Sequence, residues 1–68
     1  MSDALANRLR DLRAERDLTQ AALAELVGVS RKTINTVENG VFVPSATLAL
    51  RIARALSRPV EEIFYLRD

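Results

Sequence analysis

The sequence contains no cysteine and no histidine among its 68 residues. The lack of cysteine excludes disulfide bonds and thiolate metal ligands, and the lack of histidine removes the commonest metal ligand and general base. Metal-dependent and hydrolytic chemistry therefore have a weak basis in this chain. We expect a protein that is not an enzyme and that uses no metal and no cofactor.

Long apolar runs are also absent, since no stretch reaches the roughly 18 apolar residues of a membrane span. Residues 1–7 lack the basic and apolar regions of a signal peptide. We therefore expect a cytoplasmic protein with no membrane partner. The net charge is only +1, so composition alone does not indicate a nucleic-acid binder, and the arrangement of the charges has to decide.

The length allows one domain, because 68 residues with 49% hydrophobic content can build one modest core. Aromatic residues make up 4%, so aliphatic side chains must fill that core. Apolar residues recur at helical spacing in successive short segments. The expected fold class is all-α, a compact five-helix domain over residues 1–68, with room for a short extended C-terminal tail.

The first helix is predicted from the spacing of Leu5, Leu9 and Leu12, which recur at i, i+4 and i+7 and so line one helix face. It would extend from about Asp3 to Arg16. Its start would be capped by Ser2 or by Asp3 itself.

The middle of the chain predicts two short helices joined by a tight turn at Gly28, where a left-handed residue ends a helix. Thr19 and Ser30 each offer a hydroxyl to the free N–H groups of a helix start. Helix 2 is thus predicted over residues 20–27 and helix 3 over residues 31–39. Two short helices around such a turn form the pattern of a helix-turn-helix.

The outward face of helix 3 carries short hydrogen-bonding or basic side chains, namely Arg31, Lys32, Thr33, Asn35, Thr36 and Asn39. An ordinary solvated helix face would more often carry Glu/Lys pairs. Arg31 and Lys32 also lie in the opening turn, where cations oppose the helix dipole. Arg can pair with guanine, Asn with adenine, and a Thr methyl can contact the thymine methyl, so this face suits base edges.

The last third of the chain predicts helix 4 after Ser45 and a short helix 5 from Val60 to about Phe64. Four consecutive apolar residues, 63–66, lie near the end of the chain, and one helix face cannot bury four neighbours. We expect Ile63 and Phe64 to enter the core, which leaves the two residues after them for another surface.

The segments LTQAALAELVGVSRKTINTVENG and VPSATLALRIARAL together resemble the lambda-repressor-like, Cro-type (XRE-like) helix-turn-helix family. The resemblance covers essentially the whole chain, with the helix-turn-helix at residues 19–40, and it is greatest to minimal single-domain repressors. It implies that helix 3 enters the major groove of double-stranded DNA and that helix 2 lies across the backbone. It further implies that two subunits read a roughly twofold site.

The resemblance also implies roles for individual residues. Base contacts are implied for Arg31, Lys32 and Thr36, with Asn35 as an additional reader. Contacts to phosphate are implied for Gln20, Ser30, Thr33 and Asn39. A structural ion pair is implied between Arg13 and Glu38, which would hold the domain together without touching bases.

A homodimer is expected, because one helix reads too few base pairs to select a genomic site. Its interface would lie in residues 59–68, with Ile63, Tyr65 and Leu66, joined by Phe42. Many relatives carry basic residues where this chain has apolar residues 41–43, and Phe42 could equally fill space in the core.

The predicted function is a transcriptional regulator, most simply a repressor on a (pseudo)palindromic operator. The alternative is an antitoxin or adaptor that binds a protein partner.

Overall fold

The computed structural model describes residues 4–67 of the chain. Its elements in order are β1 (Ala4–Asn7), α1 (Leu9–Glu15), α2 (Gln20–Val27), α3 (Arg31–Glu38), α4 (Ala46–Leu56), α5 (Val60–Ile63) and β2 (Phe64–Arg67). Within these residues, no helix is both long enough and apolar enough to cross a membrane. All five predicted helices are present in the described residues, and a two-stranded sheet accompanies them.

The sheet corrects the all-α prediction and the predicted start of helix 1. The strand β1 occupies the first part of that predicted helix and pairs antiparallel with β2, so that Leu5 lies opposite Leu66. The backbone N–H of Arg8 donates to the carbonyl of Ile63 at 2.8 Å, which carries the contact up to the start of α1. The helical spacing of Leu5 was therefore misleading, because a pairing with the far end of the chain outweighs local periodicity.

The start of α1 is stabilised by Asn7, whose Oδ1 accepts a hydrogen bond from the N–H of Leu9 at 3.0 Å. The predicted caps, Ser2 and Asp3, lie outside the described residues. The Asn7 amide also donates from Nδ2 to the carbonyl of Val37 at 3.0 Å. One side chain thus joins β1 and α1 to the end of α3.

The predicted caps of the next three helices are confirmed. Hydroxyl oxygens of Thr19, Ser30 and Ser45 accept hydrogen bonds from backbone N–H groups three residues later, at 2.9, 3.2 and 3.1 Å. Each cap residue has extended backbone angles, as a helix N-cap requires. The observed bounds of α2 are those predicted, and α3 ends one residue earlier than predicted.

The core is almost entirely aliphatic and draws on every helix. Its most completely buried side chains are Leu9, Leu12, Leu23, Ile34, Val37, Ile52, Leu56 and Ile63. Phe64 is 9% exposed and closes the core at the start of β2. The prediction that Ile63 and Phe64 enter the core is confirmed, although α5 ends at Ile63 and Phe64 belongs to a strand.

The burial of Ile63 corrects its assignment to a dimer interface. Its side chain has no exposed surface, so it has nothing to offer a second subunit. Tyr65 and Leu66, on β2, are 42% and 63% exposed. These two residues therefore remain as the apolar surface of the tail.

The turn between α2 and α3 depends on Gly28, which has φ +79°. A Cβ at this position would meet no atom within 4 Å, so only the left-handed backbone conformation opposes a side chain. We expect Gly28→Ala to lower the free energy of unfolding by about 1–2 kcal/mol. Gly28→Asn should cost less, because asparagine tolerates this conformation. Urea unfolding of the three proteins measures the difference, and equal stability of the alanine variant would contradict it.

Candidate nucleic-acid interface

Backbone hydrogen bonds fix the end of α2 and the turn that leads into α3. The N–H groups of Gly28 and Val29 both donate to the carbonyl of Ala24, at 2.9 and 3.0 Å, which closes the end of α2. Ala24 is only 3% exposed, and its small side chain lets the two helices approach. Ile34 and Val37 bury the inner face of α3, so the opposite face of that helix projects into solvent.

The exposed face begins with Arg31 and Lys32, which both lie in the first turn of α3. No acidic residue lies in that turn, so no carboxylate within it neutralises the positive charges of Arg31 and Lys32. Gln20, at the start of α2, and Asn35, one turn further along α3, line a surface hollow with them. Four of the residues singled out from the sequence thus surround one polar hollow.

The remaining sequence-predicted residues of α3 are tied into the helix itself. The hydroxyls of Ser30 and Thr33 lie 3.0 Å apart, and the hydroxyl of Thr36 donates to the carbonyl of Thr33 at 2.9 Å. Asn39 is exposed, and its Nδ2 donates to the Asn35 carbonyl at 2.9 Å and to Asn35 Oδ1 at 3.1 Å. Thr33 and Thr36 line a groove that shares Lys32 with the polar hollow, whereas Asn39 lines a separate hollow with Arg10 and Glu38.

An ion pair between Arg13 and Glu38 lies behind this face. Arg13 Nε donates to Glu38 Oε2 at 2.7 Å, and Arg13 Nη1 donates to the carbonyl of Leu18 at 2.6 Å. The Glu38 side chain has no exposed surface, whereas the Arg13 side chain is 16% exposed. The ion pair that the resemblance implied is therefore present, and it joins α1 to the end of α3.

Gln20 is positioned by the same carboxylate. Its Nε2 donates to Glu38 Oε1 at 3.0 Å and to Asn35 Oδ1 at 3.1 Å. Asn35 Oδ1 thus accepts from two donors, Gln20 and Asn39. A two-bond contact from Asn35 to adenine would require that oxygen to change partners, since the contact needs both an acceptor and a donor.

Arg10 belongs to this network, and the sequence interpretation missed it. Its Nη2 donates to Asn39 Oδ1 at 3.1 Å, and its Nε lies 3.7 Å from Glu38 Oε1. The sequence did contain a feature that indicated Arg10. It lies three residues before Arg13, and residues at i and i+3 share a helix face. Arg10 is 64% exposed at the side chain, so it adds a third cation to the edge of the candidate surface.

The pKa of Glu38 reports this arrangement. Burial of the carboxylate raises its pKa, but hydrogen bonds from Arg13 and Gln20 and the positive charges of Arg13 and Arg10 lower it more. The net result is a pKa below the ordinary glutamate value.

The lowered pKa of Glu38 predicts a specific pH dependence of stability. Its stabilising contribution is complete above the unfolded-state pKa, about 4.3, and is lost as the pH falls through the lower folded-state pKa. We expect the stability advantage of the wild type over Glu38→Gln to be constant above about pH 5.5 and to shrink towards pH 3. Urea midpoints of both proteins between pH 3 and 7 measure it. An advantage that did not change with pH would contradict the assignment.

Residues 4–64 match the family described as "Helix-turn-helix domain". The chain belongs to this helix-turn-helix family. The sequence indicated a lambda-repressor-like fold. Similar solved structures confirm it.

An uncharacterized HTH-type transcriptional regulator of Methanothermobacter thermautotrophicus is 54% identical to the chain over 61 residues, which cover 88% of each protein. The restriction-modification controller protein C.AhdI of Aeromonas hydrophila is similar in structure, with a TM-score of 0.77 and 38% identity over 81% of this chain and 80% of that one. The P22 c2 repressor, solved in complex with a synthetic operator, has a TM-score of 0.77 and 31% identity over 79% of this chain and 82% of its own.

Proposed function

We propose that this protein is a sequence-specific transcriptional regulator that binds double-stranded DNA with α3 in the major groove. The observation that carries the proposal is the position of Arg31 and Lys32, two exposed cations in the first turn of a capped, outward-projecting helix. Neither residue serves the core, and both oppose the helix dipole. The structural similarity to the P22 c2 repressor, which was solved in complex with a synthetic operator, supports DNA binding by this fold.

The residues divide into two groups in this proposal. Base edges are contacted by Arg31, Lys32, Asn35 and Thr36. Phosphates are contacted by Gln20, Ser30, Thr33 and Asn39. The Arg13–Glu38 pair holds α1 and α3 together, and through Gln20 it fixes the start of α2 relative to α3. Binding without catalysis is the proposed activity, because the chain has neither histidine nor cysteine to serve as base or nucleophile.

The unit that binds an operator is proposed to be a C2 homodimer in the cytoplasm. A dimer would place two copies of α3 about 34 Å apart, one turn of DNA, and so match a (pseudo)palindromic site. Tyr65 and Leu66 are the proposed interface, since both are exposed apolar residues on the terminal strand β2. Such a dimer on a promoter would exclude polymerase, so repression is the proposed outcome.

The dimer proposal makes its own prediction. We expect wild-type protein to sediment as a dimer at micromolar concentration and Leu66→Asp to shift it to monomer, because a buried unpaired carboxylate is costly. Leu26→Asp is the matched control, since Leu26 on α2 is also 63% exposed. The control should remain dimeric. Monomeric wild-type protein, or a dimer unaffected by Leu66→Asp, would remove this interface.

Selection of bound sequences from a random double-stranded DNA pool tests the proposed function. We expect enrichment of one short motif present twice, in inverted orientation, with centres about 10 base pairs apart or a multiple of that spacing. A pool that yields no enriched motif would contradict sequence-specific binding. It would leave the antitoxin or adaptor interpretation, which capture of a stoichiometric protein partner would then support.

A further inference from the structure

The surface around α3 has a second, apolar half. Beside the polar hollow lies a groove of about 330 Å³ lined by Lys32, Thr33, Thr36, Val41 and Phe42. Lys32 lines both the groove and the polar hollow, so the two are neighbours along one helix face. The groove extends the candidate interface from α3 onto the segment that follows it.

The polar groups of the two threonines in the groove are already occupied. The hydroxyl of Thr36 donates to the carbonyl of Thr33 at 2.9 Å, and the hydroxyl of Thr33 lies 3.0 Å from that of Ser30. Hydroxyls with partners inside the helix gain little from a ligand, whereas the methyl groups on the same side chains still do. The groove therefore offers mainly apolar surface to whatever enters it.

The segment that forms the other wall is held in place by backbone hydrogen bonds. The N–H groups of Val41 and Phe42 both donate to the carbonyl of Thr36, at 3.0 and 3.2 Å. The two side chains nevertheless remain 78% and 47% exposed. Exposed apolar side chains held against the outward helix are suited to contact a ligand without rearrangement.

We propose that this groove receives the C5 methyl group of a thymine when α3 lies in the major groove, an inference that rests on the proposed function. Among unmodified bases, only thymine presents an apolar group in the major groove. Lys32, at the border, would donate to an acceptor on a neighbouring base edge. Phe42 would then contact DNA rather than the second subunit, and specificity at one position of each half-site would come from burial of a methyl group.

Replacement of single thymines by deoxyuridine tests the inference, because it removes only the methyl group. In the motif selected from the random pool, we expect one thymine per half-site whose replacement weakens binding about three- to tenfold. Replacement of thymines that flank the motif should leave the Kd unchanged. Phe42→Ala should bind the thymine and deoxyuridine operators equally, while it sediments as the wild type does.

Because Phe42 is partly buried, Phe42→Ala could lose affinity by misfolding. A second variant at a more exposed position controls for this effect. Val41→Asn changes a side chain that is 78% exposed, and it too should reduce the preference for thymine over deoxyuridine. A selected motif without thymine, an unchanged Kd for every deoxyuridine replacement, or an undiminished preference in both variants would overturn the inference. Each of these results requires an enriched motif, so failure of the inference is distinguishable from failure of the proposed function.

Discussion

The Arg31→Ala/Lys32→Ala double variant should bind the selected operator at least about 1000-fold more weakly than the wild type. Each good side-chain contact to a base edge contributes about 1–3 kcal/mol of discrimination, and a dimer loses two copies of both residues. The same variant should unfold at an equal or higher temperature. Both cations lie in the first turn of α3, where removal of each relieves about 0.3–1 kcal/mol of unfavourable interaction with the helix dipole.

The control for this experiment removes the same charge elsewhere. Arg16→Ala/Arg54→Ala changes two exposed arginines outside α2 and α3, and operator affinity should stay within about threefold of the wild type. Fluorescence anisotropy with labelled operator at fixed salt measures both variants. Wild-type affinity in the Arg31/Lys32 variant would show that α3 does not read the DNA.

Arg13→Ala should lower the free energy of unfolding by about 2–4 kcal/mol, because it leaves the buried Glu38 carboxylate without its main partner. The variant also removes the 2.6 Å hydrogen bond from Nη1 to the carbonyl of Leu18. For a chain of this length, the melting temperature should fall by about 10–25 °C. Differential scanning calorimetry at pH 7 measures the change.

Two further variants separate the ion pair from general loss of charge. Arg16→Ala removes an exposed arginine close by and should change stability by less than about 0.5 kcal/mol. Arg13→Met/Glu38→Leu replaces both charged partners with apolar groups and should recover much of the loss, since no buried charge remains unpaired. If Arg13→Ala were as stable as Arg16→Ala, the ion pair would have no structural role.

The helix-turn-helix could be predicted from the sequence because its signals are local. Thr19 and Ser30 cap helices through bonds that reach only three residues, and Gly28 ends a helix through its own backbone conformation. Such signals are complete within a short window of sequence. The bounds of α2 and the start of α3 accordingly agree with the prediction.

The two-stranded sheet could not be predicted in this way. Leu5 has the spacing of a helix face, and nothing near it in sequence indicates that its strand will pair with Leu66. Strand formation at both ends depends on a partner at the opposite end of the chain. The same pairing ended α5 at Ile63 and placed Phe64 in β2.

The polar residues of the candidate site were proposed from their residue types, but their mutual contacts could not be predicted in this way. Gln20 and Asn35 could be assigned to DNA from the family resemblance, yet the structure joins them to each other at 3.1 Å. Arg10 was missed because its partners, Asn39 and Glu38, come from another helix. Side-chain networks between helices depend on tertiary geometry, which residue types and spacing do not specify.

Chemical-shift mapping with ¹⁵N-labelled protein and the selected operator tests the central claim most directly, since it reports every backbone amide at once. We expect the largest changes at Gln20, at the first turn of α3 and at Asn35, with further changes at Val41 and Phe42. Amides of α4 away from the DNA should change little. Large changes confined to α4 and α5, with Arg31 and Lys32 unaffected, would contradict DNA recognition by α3.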